Sequence, residues 1–331
     1  MIAYHATTRA IIEGRLADAW SGSCRLVASD AASHPVSVVE WQHSNGVSAV
    51  VLDANFRSSP RLSFFAGRLA PTLSLLGAAH ATGELSGGLA MRINLNDGPA
   101  TRGMAFCSNN SLDLLVPDPI FMWRNAYEPV RAAFAEPVPW RQRLPVVFWR
   151  GGTSGRLRAG QGWQDLPRIR LCELARTEPL LDAGLSHVSQ LRHEVEEEIR
   201  ARGLVRARVP ENLFNQYRFH IDIDGNTNSW PGLFIKLLSG SPVLKIASPD
   251  GFRQWYYDRL EPFVHYVPVA TDMSDLLDKA SWLLANDERA IEIGERARAL
   301  ALSMTRESEI ADAVSRILAY CNTVVVDSGK D

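Results

Sequence analysis

From Tyr217 the chain alternates apolar and polar positions. Phe219, Ile221 and Ile223 interleave with His220, Asp222 and Asp224, the two-residue period of a strand. Gly225 and the polar run Asn226-Thr227-Asn228-Ser229 end it. Ser229 suits a helix cap, and Pro231 suits an early helical position where a missing N–H costs little. Leu233, Phe234, Leu237 and Leu238 then recur at helical spacing. Ser239-Gly240-Ser241-Pro242 stops the helix, and Val243-Leu244-Lys245-Ile246 predicts a second short strand. Strand, polar loop, helix, strand is a crossover unit of an open α/β sheet. In such sheets the loop beyond a strand's carboxyl end is where ligands bind, and a helix N-terminus there favours an anion. The same pattern also describes an ordinary polar loop.

Elsewhere the pattern predicts a helix over residues 1–20 and β-like runs at 24–27, 36–39 and 47–52. An apolar helix over Ser63–Ala81 is expected to break near Pro71. Leu89, Met91, Ile93 and Leu95 alternate with polar neighbours, a strand that runs into Asn96-Asp97-Gly98-Pro99. Asp97 is either a turn residue or a carboxylate presented at a strand end. Residues 125–144, rich in Pro, Glu and Arg, read as a linker. Pro145–Trp149 is an apolar strand entering the loop Arg150-Gly151-Gly152-Thr153-Ser154-Gly155, where backbone N–H groups and an arginine could approach phosphate oxygens or simply form a turn. Residues 187–203 form a charged helix face, and further helices are expected over 273–285, 287–303 and about 307–320.

Composition narrows the classes. With 331 residues the chain accommodates two domains, and a formal charge of −2 gives no global attraction to nucleic acid or acidic lipid. No apolar run near membrane-spanning length and no leader-like N-terminus are evident, so a cytoplasmic protein is expected. Cys24, Cys107, Cys172 and Cys321 lie far apart, without zinc or disulfide spacing, which fits free thiols in a reducing compartment. Neither a nucleoside-triphosphatase loop nor a dinucleotide fingerprint is present. His187, His193 and His220 lack metal-ligand spacing; Asp222 and Asp224 could face a cation or be a strand's polar edge.

Three segments together resemble glycosyltransferase family 90, in its bacterial-type branch. The longest is Tyr257-Asp258-Arg259-Leu260-Glu261-Pro262-Phe263-Val264-His265-Tyr266-Val267-Pro268-Val269, preceded by Gly225, Ser229 and Gly240-Ser241-Pro242-Val243 and followed by Asp275-Leu276. The second is Arg150-Gly151-Gly152-Thr153-Ser154, and the third is Asn94-Leu95-Asn96-Asp97-Gly98-Pro99 with Asp113-Leu114-Leu115-Val116-Pro117 downstream. The resemblance implies a GT-B fold, two Rossmann-like α/β domains facing across a cleft. The domains are expected at 1–138 (acceptor side) and 139–303 (donor side), with 304–331 a helix returning to the first.

It further implies an inverting transfer of glucose or xylose from a UDP-sugar to a glycan, glycolipid or other hydroxyl acceptor. Asp97 would be the general base, taking the proton as the hydroxyl attacks. Donor contacts would come from Arg150, Gly151, Thr153, Ser154, Arg168, Asp222, Gly225, Ser229, Trp230 and Lys236. No metal or other cofactor is implied, and association with the inner membrane face would bring a lipid-linked acceptor within reach. His265 and Tyr266 are expected to pack beneath the site. One departure stands out: family members carry an arginine at the start of the helix after Ser229, but residues 231–233 here are Pro, Gly and Leu. Lys236 or the helix dipole would have to replace it. Alternatives are a hydrolase or epimerase on the same fold, and a domain that binds nucleotide-sugar or glycan without turnover.

Overall fold

The computed structural model describes residues 24–85, 87–97 and 102–328, with side chains through residue 323. The helix expected over residues 1–20, and Gly98-Pro99 of the turn, lie outside the described residues. Contacts divide the chain into two units, residues 1–126 with 305–331, and residues 127–304.

The first unit is built on a six-stranded mixed sheet. Its strands are β1 (Cys24–Ala28), β2 (Val38–Ser44), β3 (Val47–Leu52), β4 (Leu89–Asn94), β5 (Gly103–Ala105) and β6 (Leu114–Leu115), in the order β1-β3-β2-β4-β5-β6. β2 and β3 form an antiparallel hairpin through Asn45-Gly46, both with positive φ (49° and 71°), as a tight two-residue turn requires. β4 is antiparallel to β2 and parallel to β5. The alternation read in the sequence puts Met91 and Ile93 of β4 and Val39 and Trp41 of β2 in the core.

Helix α1 (Leu62–Ala81) is continuous through Pro71, so the expected break is not there. Burial of Leu69, Leu73, Leu75 and Leu76 outweighs the hydrogen bond proline removes, and the Thr72 hydroxyl donates to the Arg68 carbonyl beside the gap, at 3.0 Å. By length and composition alone α1 could cross a membrane, which corrects the expectation that no apolar run approaches that length. In this structure 56% of its most apolar window is buried, as in a core helix. The last helix, Arg306–Ser328, packs against α1.

The second unit holds a five-stranded, wholly parallel sheet: β7 (Leu144–Gly152), β8 (Leu181–His187), β9 (Tyr217–Asp222), β10 (Val243–Ile246) and β11 (Val267–Val269), in the order β11-β10-β9-β7-β8. Its helices include α2 (Glu128–Ala133), α3 (Pro167–Leu174), α4 (Pro231–Leu238), α5 (Leu276–Ala285) and α6 (Asp287–Ser303). Phe219, Ile221, Val147, Trp149 and Leu244 fill the core between sheet and helices.

Residues 125–144 are not a loose linker. Arg131 of α2 donates to the carbonyls of Ala301, Leu302 and Met304 at 2.8–3.1 Å, satisfying the free end of α6. Arg143, itself buried, donates to Val138 O, Gly240 O and Ser241 Oγ. These bonds place the division after Ala126 rather than after residue 138.

Candidate functional site

The strand order of the second unit fixes where a ligand can sit. From β7 the chain crosses through α3 to β8 on one side; it then returns to the other side of β7 to form β9. The order therefore reverses between β7 and β9, and the carboxyl ends of two such strands open a crevice. Arg168, near the start of α3, lies between the two loops that leave these ends. Its Nη1 donates to Gly152 O (3.1 Å) and Ser154 Oγ (2.8 Å) beyond β7. Its Nη2 and Nε donate to Ile223 O and Asp224 O beyond β9, both at 3.0 Å. One planar guanidinium thus fixes both loops, a role its rigid fork of donors suits better than an ammonium would. Burial pushes its pKa down, opposed by the nearby carboxylates of Asp222 and Asp224.

Gly225 is required where the second loop passes over this arginine. A Cβ there would lie 2.6 Å from Ser154 Oγ and 3.0 Å from Arg168 Nη2. The serine end can move, but the guanidinium is held by four acceptors. Gly225→Ala is therefore expected to cost about 1–3 kcal/mol through overpacking; urea unfolding that matches the wild type would refute the close approach.

Beside Arg168 is a buried ion cluster. Asp222, the last residue of β9, is fully buried; its Oδ1 accepts from Ser229 Oγ (2.6 Å) and Lys236 Nζ (3.0 Å), and its Oδ2 from Lys245 Nζ (3.2 Å). Burial opposes ionisation of Asp222, but the two ammonium groups and the hydroxyl outweigh it and hold the carboxyl well below its ordinary range. Burial also lowers the Lys236 pKa against the pull of Asp222. An ionised Asp222 satisfies all three donors, so the charged state is the one the geometry supports. Ser229 also accepts from Leu233 N at 3.1 Å and so satisfies one N–H of the first turn of α4, although the cap position itself is Trp230 and not Ser229 as expected. Trp230, buried, sits at φ 45° and ψ −105°. Such strain persists where the surroundings over-determine it, often at ligand sites.

Lys245 escaped the sequence reading because it stood in a short apolar strand. The signal was there: a lysine in a buried strand needs a partner, and Asp222 is next to it in the register of β9 and β10. Lys245 Nζ also lies 4.8 Å from the Tyr257 ring centre, over its face.

Two expected donor residues face elsewhere. Arg150 Nη2 pairs with Asp182 Oδ1 at 2.7 Å, Nη1 donates to the carbonyls of Trp149 and Asp182, and Nε donates to Ala207 O. It binds β7 to β8 instead of pointing into the crevice. Thr153 Oγ1 donates to Ser189 O and accepts from Ser189 N, so it is spent on the loop after β8. Gly151 lies against Trp149, whose ring a Cβ would meet at 2.5 Å. Ser154, Arg168, Gly225, Asp222, Ser229 and Lys236 are the predicted residues that come together. His265, expected to pack beneath the site, accepts at Nδ1 from Glu261 N (3.1 Å).

In the first unit Asp97 follows the carboxyl end of β4. Its Oδ1 accepts from Arg68 Nη1 of α1 at 3.0 Å, and its side chain is 32% exposed. Asp113 of the downstream motif accepts from Ser108 Oγ and from Gly103 N. Asp118 is fully buried and caps the helix Pro119–Trp123 through Ile120 N and Phe121 N; burial pushes its carboxyl up to about 6. No group of three metal-ligating side chains occurs among the described residues.

The model of glycosyl transferase family 90 matches residues 91–325, all of the second unit and the part of the first from Met91 to Ala126 and Thr305 to Val325. The chain belongs to this family. Human protein O-glucosyltransferase 3 is 32% identical over 164 residues, 49% of this chain and 29% of the relative. Uncharacterized protein 035R of Invertebrate iridescent virus 3 is 32% identical over 167 residues, 48% of this chain and 15% of the relative. The chain thus spans less than a third of the length of these relatives. They are vertebrate and viral, and lend no support to a bacterial-type assignment. Among solved structures, Anabaena HepE in complex with UDP-glucose aligns with 17% identity and a TM-score of 0.35, covering 52% of this chain and 49% of that one.

For a family 90 chain, the departure at residues 231–233 takes on a structural form. The start of α4 carries no arginine, and Lys236, one turn on, reaches back to Asp222. Cations close to the carboxyl end of β9 include Arg168 from α3, Lys236 from α4 and Lys245 from β10.

Proposed function

We propose that this family 90 chain is an inverting glycosyltransferase that moves a sugar from a UDP-sugar, with glucose or xylose as donor sugar, to a hydroxyl of a glycan, glycolipid or protein. The observation that carries the reading is Arg168, which bridges both loops at the strand-order reversal beside the Asp222–Lys236–Lys245 cluster. Three cations against two carboxylates, Asp222 and Asp224, leave net positive charge beside the loops that leave β7 and β9. That charge suits the diphosphate, whose negative charge grows as the sugar departs, and preorganised charge of this kind is the main electrostatic source of rate. Protein cations fill this role, so the reading assigns no metal to the donor site. The names of the vertebrate relatives support glucose as a candidate sugar. Asp97 takes the acceptor's proton, as an inverting displacement requires.

The first test is thermal unfolding of the purified protein with UDP, UDP-glucose and UDP-xylose. A ligand that binds only the folded state at a hundred times its Kd adds about 2.7 kcal/mol, a rise of several degrees. Lys245→Met is expected to abolish the rise. Arg150→Ala is expected to lower the starting Tm, because Asp182 loses its partner, and to leave the rise in place. No shift with any of the three ligands at millimolar concentration would refute the donor site. A shift in Arg150→Ala as small as in Lys245→Met would return Arg150 to the site.

A further inference from the structure

Arg68 is an oddity in an apolar helix. Its side chain is only 12% exposed, and burial lowers its pKa against the pull of Asp97. Nothing about the packing of α1 asks for a guanidinium there, and a buried charge is costly unless it is paired and hydrogen-bonded. Its Nη1 lies between two acceptors just beyond β4: Leu95 O at 2.9 Å and Asp97 Oδ1 at 3.0 Å. The guanidinium lies over the Phe64 ring, 4.1 Å from its centre, and Arg61 approaches the same ring at 4.3 Å. Asp118, Arg61 and the Cys107 thiol also act on it electrostatically. Asp97 Oδ2 accepts from no donor among the described residues.

We propose that Arg68 is a positioning residue for Asp97, fixing one carboxylate oxygen and the strand end beneath it so that the other oxygen faces the acceptor hydroxyl. The inference rests on the reading of Asp97 as general base. In the step it serves, the acceptor O–H bond breaks and its proton passes to Asp97 Oδ2. The acceptor oxygen bonds to the anomeric carbon, and the electron pair of the anomeric C–O bond leaves on the nucleoside diphosphate. Leu95 O anchors the same nitrogen that binds Oδ1, so the carboxylate is held from the backbone end of its own strand. The Phe64 stack limits the swing of the guanidinium. A base displaced by about 1 Å costs on the order of a hundredfold in rate, so loss of this clamp is visible without loss of the base.

The experiment measures UDP release from UDP-glucose, with water or a serine-containing peptide as acceptor, for wild type, Arg68→Met, Arg68→Lys, Asp97→Asn and Asp97→Asn/Arg68→Met. Arg68→Met is expected to lower kcat about ten- to hundredfold with an unchanged UDP-glucose Kd, and added guanidinium ion is expected to restore part of the rate. Arg68→Lys keeps the charge but cannot reproduce the planar fork; it is expected to fall between, and it serves as the test variant if Arg68→Met fails to fold. The double variant is expected to be no slower than Asp97→Asn, because the two residues act as a unit. Arg68 variants within threefold of wild type, or rate losses that add in the double variant, overturn the positioning role while leaving Asp97 as base. An active Asp97→Asn, or a wild type that releases no UDP with either acceptor, overturns the base reading and this inference with it.

Discussion

Asp222→Asn is expected to destabilise the second unit by about 3–5 kcal/mol, the usual cost of leaving buried charge without its partner. The wild-type carboxylate is fully buried and satisfies Lys236, Lys245 and Ser229 at once. An asparagine fits the space but leaves two ammonium groups facing a neutral amide. Lys236, whose pKa burial already lowers, then sheds its proton more readily. Chemical denaturation at neutral pH measures the loss, and a change below about 1 kcal/mol would show that water or movement relieves the cluster.

The pH dependence has a definite sign. The folded Asp222 pKa is depressed below the ordinary value of 3.8. Its contribution is therefore fully present above that value and is lost as the pH falls through it towards the folded pKa. Asp222→Asn should accordingly flatten the acid side of the stability profile below about pH 4. A second variant separates stability from function. Asp222→Leu/Lys236→Met/Lys245→Met removes the whole charge set, and buried ion clusters replaced by apolar side chains are often neutral or more stable. That variant is expected to recover most of the lost stability and to show no thermal response to UDP.

Periodicity made much of this legible. The alternation from Phe219 to Asp224 marked the strand, which ends at Asp222 with its polar positions His220 and Asp222 buried, and Pro231 marked the first residue of the helix. Arg168 stood out only through its resemblance to a motif, yet it is the residue that joins both loops. What was hidden depends on neighbours far along the chain. Arg150 looked like a phosphate ligand because its loop is Gly-rich. Its commitment to Asp182 follows from the pairing of β7 with β8, in which Arg150 lies opposite Gly184. Lys245 and Arg68 were overlooked for one reason: each sits in an apolar segment whose hydrophobic pattern explained the segment well enough. Their carboxylate partners are 23 and 29 residues away. Pro71 and residues 125–144 failed the opposite way. Local chemistry argued for a break and a linker, but burial and the bonds of Arg131 and Arg143 overrode it.

Asp97→Asn carries the largest expected effect on turnover: a fall in kcat of about 10²–10⁴-fold, the range that general base catalysis supplies. UDP-glucose binding should be unchanged, because Asp97 belongs to the first unit and the donor groups to the second. Asparagine keeps an oxygen for Arg68 Nη1, so the bond that Oδ1 now accepts survives and the fold should lose no more than about 1 kcal/mol. The combination of intact donor binding, intact folding and lost transfer is what separates a base from a turn residue. If Asp97 only closes the turn, the same substitution lowers Tm slightly and leaves kcat within a fewfold of wild type. Two observations favour binding without turnover: residues 231–233 carry no arginine, and Arg68 already occupies Asp97 Oδ1. That reading predicts a UDP-glucose thermal shift in both wild type and Asp97→Asn, with no UDP released by either in the presence of any hydroxyl acceptor. Equilibrium binding and UDP release, measured on the same two preparations, therefore give a different pair of results for each of the three roles.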